Sequence, residues 1–109
     1  MSAWGSFYVN AFVLHIREGR TDEYRRRHAQ IWPEMAAALK ASGIVHYDIF
    51  MDEAGRRVFG HQLRLAPPDP SVPEDPVILR WREYMADVLE MDGDLPRRTP
   101  VEHVFHLTA

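Results

Sequence analysis

Proline placement restricts the fold of this chain more than any other feature of its sequence. Five of its eight prolines lie in the segment Ala66–Pro76 (APPDPSVPEDP). Because proline lacks a backbone N–H and has a fixed φ, this segment can form neither a helix nor a central strand, and it is predicted to be a stiff surface loop. Pro33 interrupts an otherwise helical stretch, since its ring would clash with the carbonyl four residues back. One helix is therefore predicted in two pieces.

Capping signals set the bounds of the predicted helices. The first piece is Thr21–Ala29, which its first residue can cap and which has two acids in its first turn. The second piece holds Pro33 in its first turn and runs to Ser42, with Gly43 as the expected stop. A further helix begins at Asp75-Pro76. Its apolar positions follow the spacing of a buried face: Val77, Ile78, Trp81, Tyr84, Met85, Val88 and Leu89.

Four segments rich in aromatic and β-branched residues are predicted to be strands: Phe7–Ile16, Ile44–Met51, Arg57–Leu65 and Val101–Leu107. The two middle strands are joined by a hairpin-length connection, Asp52–Gly55. Met91–Pro100 is predicted to be a polar loop. The order β-α-β-β-α-β predicts one α+β domain over residues 1–109, with the ferredoxin-like arrangement of a four-stranded antiparallel sheet and helices on one face.

Both faces of this sheet are predicted to be covered. The first strand runs Ala11–Leu14 without alternation, although an antiparallel sheet with one wet face should alternate. In the second strand Ile44 and Phe50 are expected on one face. The other face is expected to carry Val45, Tyr47, Ile49 and Met51. Because two helices can cover only one face, a homodimer with its sheets facing each other is predicted.

Composition limits the functions open to the chain. Of its 109 residues 46% are apolar and 27% charged, the net charge is −3 and the arginines are scattered, so nucleic acid is not an expected partner. The absence of cysteine excludes disulfides and thiol catalysis. No apolar run approaches the ~18 residues of a membrane span, and the first ten residues lack the pattern of a signal peptide. A soluble cytoplasmic protein is expected.

No generic catalytic motif is present, and the candidate chemistry rests on Tyr24 and His28. They are four residues apart, so they share one helix face. A phenol beside an imidazole can hold an oxygen-rich ligand while the imidazole exchanges a proton near neutral pH. The same spacing also fits a plain helix surface with a half-buried tyrosine and a solvated histidine.

The remaining aromatic and histidine residues also have structural interpretations. Trp32 is expected to fill the helix break, and Trp81 lies on the apolar face of the last helix, although an indole also suits the C–H face of a pyranose. Tyr47 fits a core position with a tethered hydroxyl. His103 and His106 are three apart on a predicted strand and point to opposite faces, so they form no two-histidine metal clamp, and no metal is predicted.

The run EYRRRHAQIWPE (Glu23–Glu34) closely resembles the EYxxRHxxIWPE signature of the L-rhamnose mutarotase family. The resemblance covers nearly the whole chain in order. It continues through Leu39–Gly43, Tyr47–Ile49, Arg80–Trp81, Tyr84–Val88 and Val104–Leu107.

The resemblance implies a dimeric α/β-barrel fold and interconversion of the α and β anomers of L-rhamnose, without cofactor or metal. His28 falls on the family's proton-donor position, and Tyr24, Tyr47 and Trp81 fall on substrate-binding positions. Arg82 stands where the family has a second tryptophan. A fork of charged donors replaces an aromatic wall there, so Arg82 becomes a further substrate-binding candidate and the preferred sugar stays open.

The sequence leaves alternatives open for the second acid–base group and for the function. The second acid–base group can be Asp48, Asp87 or a bound water. A cofactor-free monooxygenase of the dimeric α/β-barrel type has the same architecture. A non-catalytic sugar-binding module, in which Arg82 recognises an acidic sugar, is a further alternative, as is a mutarotase for another sugar.

Overall fold

The computed structural model of the chain describes residues 3–4 and 7–107. The expectation that the first ten residues form no signal peptide lies partly outside the described residues. The elements are, in order, β1 (Ala3–Trp4), β2 (Phe7–His15), α1 (Thr21–Ala29), α2 (Pro33–Ala41), β3 (Ile44–Asp52), β4 (Arg57–Arg64), α3 (Pro76–Met85), β5 (Met91–Asp92), β6 (Leu95–Pro96) and β7 (Arg98–Pro100). No helix among the described residues is long and apolar enough to cross a membrane.

The main sheet is antiparallel throughout. β2 pairs with β4 along one side, and β4 pairs in turn with β3, which forms that edge. On its other side β2 pairs with β7 and, further along, with the two-residue β1. The four main strands therefore lie in the order β7-β2-β4-β3. The predicted α+β class and the predicted four-stranded antiparallel sheet are confirmed.

The position predicted for the last strand was wrong. The strand that pairs with β2 is Arg98–Pro100, opposite Phe12–Leu14, and residues 101–107 form no strand. β1 pairs with Phe7 and Tyr8, so this edge of β2 has no room for all seven residues, and the chain leaves it after Pro100 to cross the sheet face. The prediction that Met91–Pro100 is a loop was also wrong, since this stretch contains β7 and the small hairpin of β5 and β6, with Gly93 at φ 64° in its turn.

The broken helix is confirmed, with one correction at its start. Thr21 makes no side-chain cap; it is the first helical residue, and Arg20 occupies the capping position with its carbonyl 3.0 Å from the Tyr24 amide nitrogen. α2 begins at Pro33 and ends one residue before Ser42. Gly43 follows with φ 101°, a conformation that glycine adopts without steric cost.

α3 begins at Pro76 as predicted but ends at Met85, so Val88 and Leu89 lie in the turn that follows. Both remain buried, because their amides bond back to the Met85 carbonyl at 3.0 Å and fold the chain against the core. The apolar pattern thus identified Trp81, Met85, Val88 and Leu89 correctly as buried, but Tyr84 is exposed, and the pattern overestimated the length of the helix.

Asp75 caps α3, because its Oδ1 accepts a hydrogen bond from the Val77 amide at 2.8 Å. We expect Asp75→Ala to lower the free energy of unfolding by about 1 kcal/mol, since the first turn loses an acceptor for an otherwise unpaired N–H. Asp75→Asn keeps an acceptor in place and should cost much less. Urea unfolding of both variants checks this, and equal losses would contradict the capping role.

A bulge in β3 corrects the predicted assignment of its faces. Ile44 pairs with Arg64 and His46 with Leu63, so Val45 is an extra residue and the alternation shifts at this point. As a result Ile44 shares a face with Tyr47 rather than with Phe50. Tyr47 belongs to the sheet face that packs against the helices, together with two further β3 residues, Ile49 and Met51.

The opposite sheet face is covered in part by the chain itself. Residues 101–107 lie over Val9, Ala11 and His61 and enclose with them a cavity of about 520 Å³. Phe50, on the same face near the β3 edge, remains 64% exposed. The C-terminal segment therefore covers the β2 side of this face and leaves the β3 side open.

Candidate active site

Tyr24 and His28 stack on each other along α1. Their ring centroids are 4.1 Å apart and the ring planes differ by 24°. His28 Nδ1 lies 3.1 Å from the backbone oxygen of Tyr24. Because a carbonyl oxygen only accepts, Nδ1 carries the proton and Nε2 of the neutral ring is an acceptor. Nε2 has no hydrogen-bond partner within the part of the chain that the structure describes.

The imidazole borders a cleft between α1 and the edge strand β3. This cleft has a volume of about 260 Å³ and is lined by Tyr24, Arg25, His28, Ile49 and Met51. One wall is therefore apolar, and the other presents a phenol, an imidazole and a guanidinium. Arg25 is already paired with Asp22 and Glu53, both at 3.0 Å.

Burial controls the protonation of the groups around the cleft. It lowers the pKa of His28 below its ordinary value of 6.5, so that the neutral imidazole predominates at pH 7. Burial also raises the pKa of Tyr24 and of Tyr47. At neutral pH the site therefore offers one basic ring nitrogen and two intact hydroxyl groups.

Tyr47 lies on the helix-facing side of β3, as do Ile49 and Met51 of the cleft wall. Its electrostatic influence reaches Tyr24, whose pKa it raises further. The structure thus brings both predicted tyrosines and His28 to one side of the sheet, although Tyr47 itself does not line the cleft.

Trp81 supports the imidazole from behind rather than facing the cleft. It is only 8% exposed, and its ring meets those of His28 and Trp32 edge to face at centroid distances of 5.5 Å and 5.0 Å. Trp32 packs in turn against Tyr84, 5.2 Å away, and so fills the break between α1 and α2. In this structure the Trp81 indole is part of the core.

Arg82 is engaged away from the cleft. Its Nη2 lies 2.7 Å and 3.0 Å from the two carboxylate oxygens of Glu74. Glu74 belongs to the proline-rich segment, which has neither helix nor strand before Pro76. The structure therefore places Arg82 as a link between α3 and this loop.

Neither aspartate considered as the second acid–base group lies at the cleft. Asp87 is paired with Arg27 and Arg20, and the hydrogen bond from Arg27 holds the pKa of its carboxyl below the usual range. Asp48 pairs with His61 in the sheet register and so points to the face opposite Ile49. Of the three alternatives, these two are remote from His28 Nε2.

Arg27 is a structurally important residue for which no role was predicted. It is 8% exposed, and its guanidinium donates to Glu23 Oε2 at 2.7 Å, to the Tyr84 carbonyl at 2.6 Å and to Asp87 Oδ1 at 2.8 Å. It joins the end of α1, where His28 lies, to the end of α3. Two sequence signals pointed to it: the four-residue spacing from Glu23, and the EYxxRHxxIWPE signature, which specifies an arginine at this position but not at Arg25 or Arg26.

Comparison with known proteins identifies relatives of this chain. The family model described as L-rhamnose mutarotase matches residues 10–107. An L-rhamnose mutarotase of Flavobacterium johnsoniae is 39% identical over 100 residues, covering 90% of this chain and 94% of the relative. One of Burkholderia cenocepacia is 43% identical over 101 residues, covering 89% and 95%. The crystal structure of an L-rhamnose mutarotase from Formosa agariphila superposes with a TM-score of 0.79 at 29% identity, covering 93% of this chain and 99% of that one.

The fold is that of a small α+β protein, and the relatives identify the chain as a carbohydrate isomerase. The family-model match and the identities of about 40% over most of the chain show which family of carbohydrate isomerases this is. The chain belongs to the L-rhamnose mutarotase family.

Proposed function

We propose that the chain interconverts the α and β anomers of L-rhamnose, with His28 as its proton-transfer group. The observation that supports this most directly is the Nε2 of a neutral, half-buried imidazole at the edge of a cleft, which has no hydrogen-bond partner among the described residues. The substrate is inferred from the named activity of the relatives.

The reaction requires only proton transfers and a bond rotation. His28 Nε2 takes the proton of the anomeric hydroxyl while the bond from the anomeric carbon to the ring oxygen breaks. A bound water gives a proton to the ring oxygen and is reprotonated by the imidazolium, so His28 returns to its neutral form. The open aldehyde rotates, and closure by the reverse transfers gives the other anomer. An acceleration of ~10⁴ corresponds to about 5.5 kcal/mol, which one positioned acid–base group and substrate orientation can supply.

The aromatic residues would orient the sugar around this base. Tyr24 would hydrogen-bond its hydroxyl groups from the cleft wall, and Tyr47 would do so where the sugar extends beyond the cleft along the helix-facing side of β3. Trp81, buried behind His28, would hold the imidazole in place. Arg82 can bind a sugar only if its hydrogen bonds to Glu74 break. A sugar that carries a carboxylate could replace Glu74 as its partner and is therefore the alternative substrate to test.

NMR exchange spectroscopy of anomeric signals over a panel of sugars tests the proposal. Faster exchange with L-rhamnose than with galactose or an acidic sugar is the expected result. Exchange that never exceeds the buffer rate, with tight sugar binding by calorimetry, would favour the sugar-binding module. Oxygen uptake on an aromatic substrate would favour the monooxygenase.

We also propose that the chain acts as a homodimer whose sheets face each other in a dimeric α/β barrel. Phe50 on the open side of the sheet is 64% exposed, and Phe105 of the C-terminal segment is 77% exposed. Apolar area of this kind is unfavourable in water and is typical of an interface. Analytical ultracentrifugation at micromolar concentration should give a dimer, and a monomer would contradict the proposal.

We place the enzyme in the cytoplasm and expect its activity to survive dialysis against a chelator.

The pH profile should follow His28. Its neutral form is the base, and burial lowers its pKa below 6.5. The rate of exchange should therefore be constant above pH 7 and should fall only when the pH drops below 6.5, as the imidazole becomes protonated. NMR exchange rates corrected for the buffer reaction check this, and a rate that rises as the pH falls through this range would contradict the assignment.

A further inference from the structure

A row of polar side chains crosses the helix-facing side of the sheet and ends at Tyr47. We propose that Gln62, held by Asn10 and Arg98, is a positioning residue that makes the Tyr47 hydroxyl a hydrogen-bond donor to a sugar oxygen. This inference rests on the proposed sugar-binding role of Tyr47 and adds the residues that fix the direction of its hydrogen bond.

The sheet register brings these side chains together. Gln62 in β4 lies directly opposite Asn10 in β2 and opposite Tyr47 in β3, so the three side chains project from the same face. Asn10 Nδ2 is 3.0 Å from Gln62 Oε1, and Arg98 Nη2 is 3.1 Å from Asn10 Oδ1. Gln62 is 7% exposed. A buried amide requires hydrogen-bond partners, and this row supplies them.

The charge of Arg98 sets the direction of the whole row. A guanidinium can only donate, so the Asn10 atom that faces it must be the carbonyl oxygen. The Asn10 amide group then donates to Gln62 Oε1, which leaves the Gln62 NH₂ group to donate to the Tyr47 oxygen. This last hydrogen bond lowers the pKa of Tyr47 against the opposing effect of burial. Because the Tyr47 oxygen accepts from Gln62, its own O–H remains available to donate to a ligand.

Phe12 keeps both ends of the row in place. The Arg98 guanidinium lies 4.3 Å from the centroid of the Phe12 ring, and the same ring meets Tyr47 edge to face at 6.3 Å. The ring lies over Gly60, where an added Cβ would come within 2.5 Å of it. The phenol is therefore fixed through its ring by Phe12 and through its oxygen by Gln62.

Gln62→Glu tests the direction of the bond. A carboxylate accepts and does not donate, so the Tyr47 O–H would turn toward it and the sugar would lose a donor. We expect KM for L-rhamnose to rise about 3- to 10-fold, the range of one neutral hydrogen bond, with a smaller change in kcat. Gln30→Glu, which makes the same substitution at an exposed glutamine, should leave both constants unchanged.

Two further variants keep the inference open to contradiction. In a Tyr47→Phe background Gln62→Glu should raise KM no further, because the hydroxyl that Gln62 positions is already absent. If Gln62→Glu fails to fold, Asn10→Asp removes the donor to Gln62 at a half-buried position while keeping an acceptor for Arg98, and it should raise KM about 2- to 5-fold. An unchanged KM in the single variants, or the same rise with and without the Tyr47 hydroxyl, would overturn the inference. Failure of the unmodified enzyme to exchange any sugar would instead contradict the proposed function.

Discussion

His28→Ala is expected to slow anomer exchange by about 10²- to 10⁴-fold while the protein stays folded. The substitution removes Nε2, the basic nitrogen at the cleft, and a positioned general base contributes acceleration of this size. Tyr24 loses the ring that stacks on it but remains in the core. NMR exchange spectroscopy gives the rate, and circular dichroism and sedimentation give the folded state and the oligomeric state.

A second histidine variant shows whether slower exchange comes from loss of the base at the cleft or would follow from the removal of any histidine. His46 is exposed and lies on the opposite face of the sheet from the cleft. His46→Ala should therefore exchange anomers at the unmodified rate, and sedimentation must show that it keeps the oligomeric state of the unmodified protein, because His46 lies on the face proposed for the dimer. Near-normal exchange in His28→Ala would end the assignment of His28 as the proton-transfer group and would leave the fold and the family as they stand.

Arg27→Met is expected to lower the free energy of unfolding by about 2–4 kcal/mol. Breaking a buried ion pair costs about 3–5 kcal/mol, and hydrogen bonds to charged groups contribute about 1.5–3 kcal/mol each. The loss is moderated here, because Glu23 keeps Arg26 and Asp87 keeps Arg20 as a partner. The Tyr84 carbonyl, by contrast, loses the guanidinium that now donates to it. Urea unfolding at one fixed protein concentration measures the difference.

Arg26→Met is the matched control. Arg26 also pairs with Glu23, but 53% of its side chain is exposed, and exposed ion pairs contribute about 0–1 kcal/mol. Equal losses for the two variants would show that Arg27 is only one more surface charge. A larger loss for Arg27, accompanied by slower exchange, would show that the link between α1 and α3 also holds His28 in place.

The parts of the fold that depend on residues close together in the sequence were predictable. Pro33 breaks a helix because its ring clashes with its own helix, and Asp75 caps α3 through an amide two residues away. For the same reason the stacking of Tyr24 on His28 follows from their spacing of four residues. The alternation of apolar residues in β3 correctly predicted Tyr47, Ile49 and Met51 on one face, while the bulge moved Ile44 to that face and took Val45 out of the alternation.

The errors at the last strand and at Arg27 involve segments that meet across the fold, whereas the cap expected at Thr21 and the length of α3 were local errors. β1 pairs with Phe7 and Tyr8, so the edge of β2 cannot hold all of Val101–Leu107, and the chain turns over the sheet face after Pro100. The signature specifies Arg27, but only the fold shows that the end of α3 covers it. Trp81 and Arg82 are adjacent, but the fold buries one behind His28 and pairs the other with the proline-rich loop.

The sequence by itself determined the helix break, the order of the elements as far as α3, the family and the pairing of a phenol with an imidazole, because short-range sterics and a long continuous motif encode them. Only the tertiary structure decided that His28 keeps Nε2 free at a cleft, that Arg27 is buried, and that Gln62 lies between Asn10 and Tyr47. These properties depend on which distant groups approach each side chain. Burial, pKa and hydrogen-bond direction are set by those neighbours, and no local pattern specifies them.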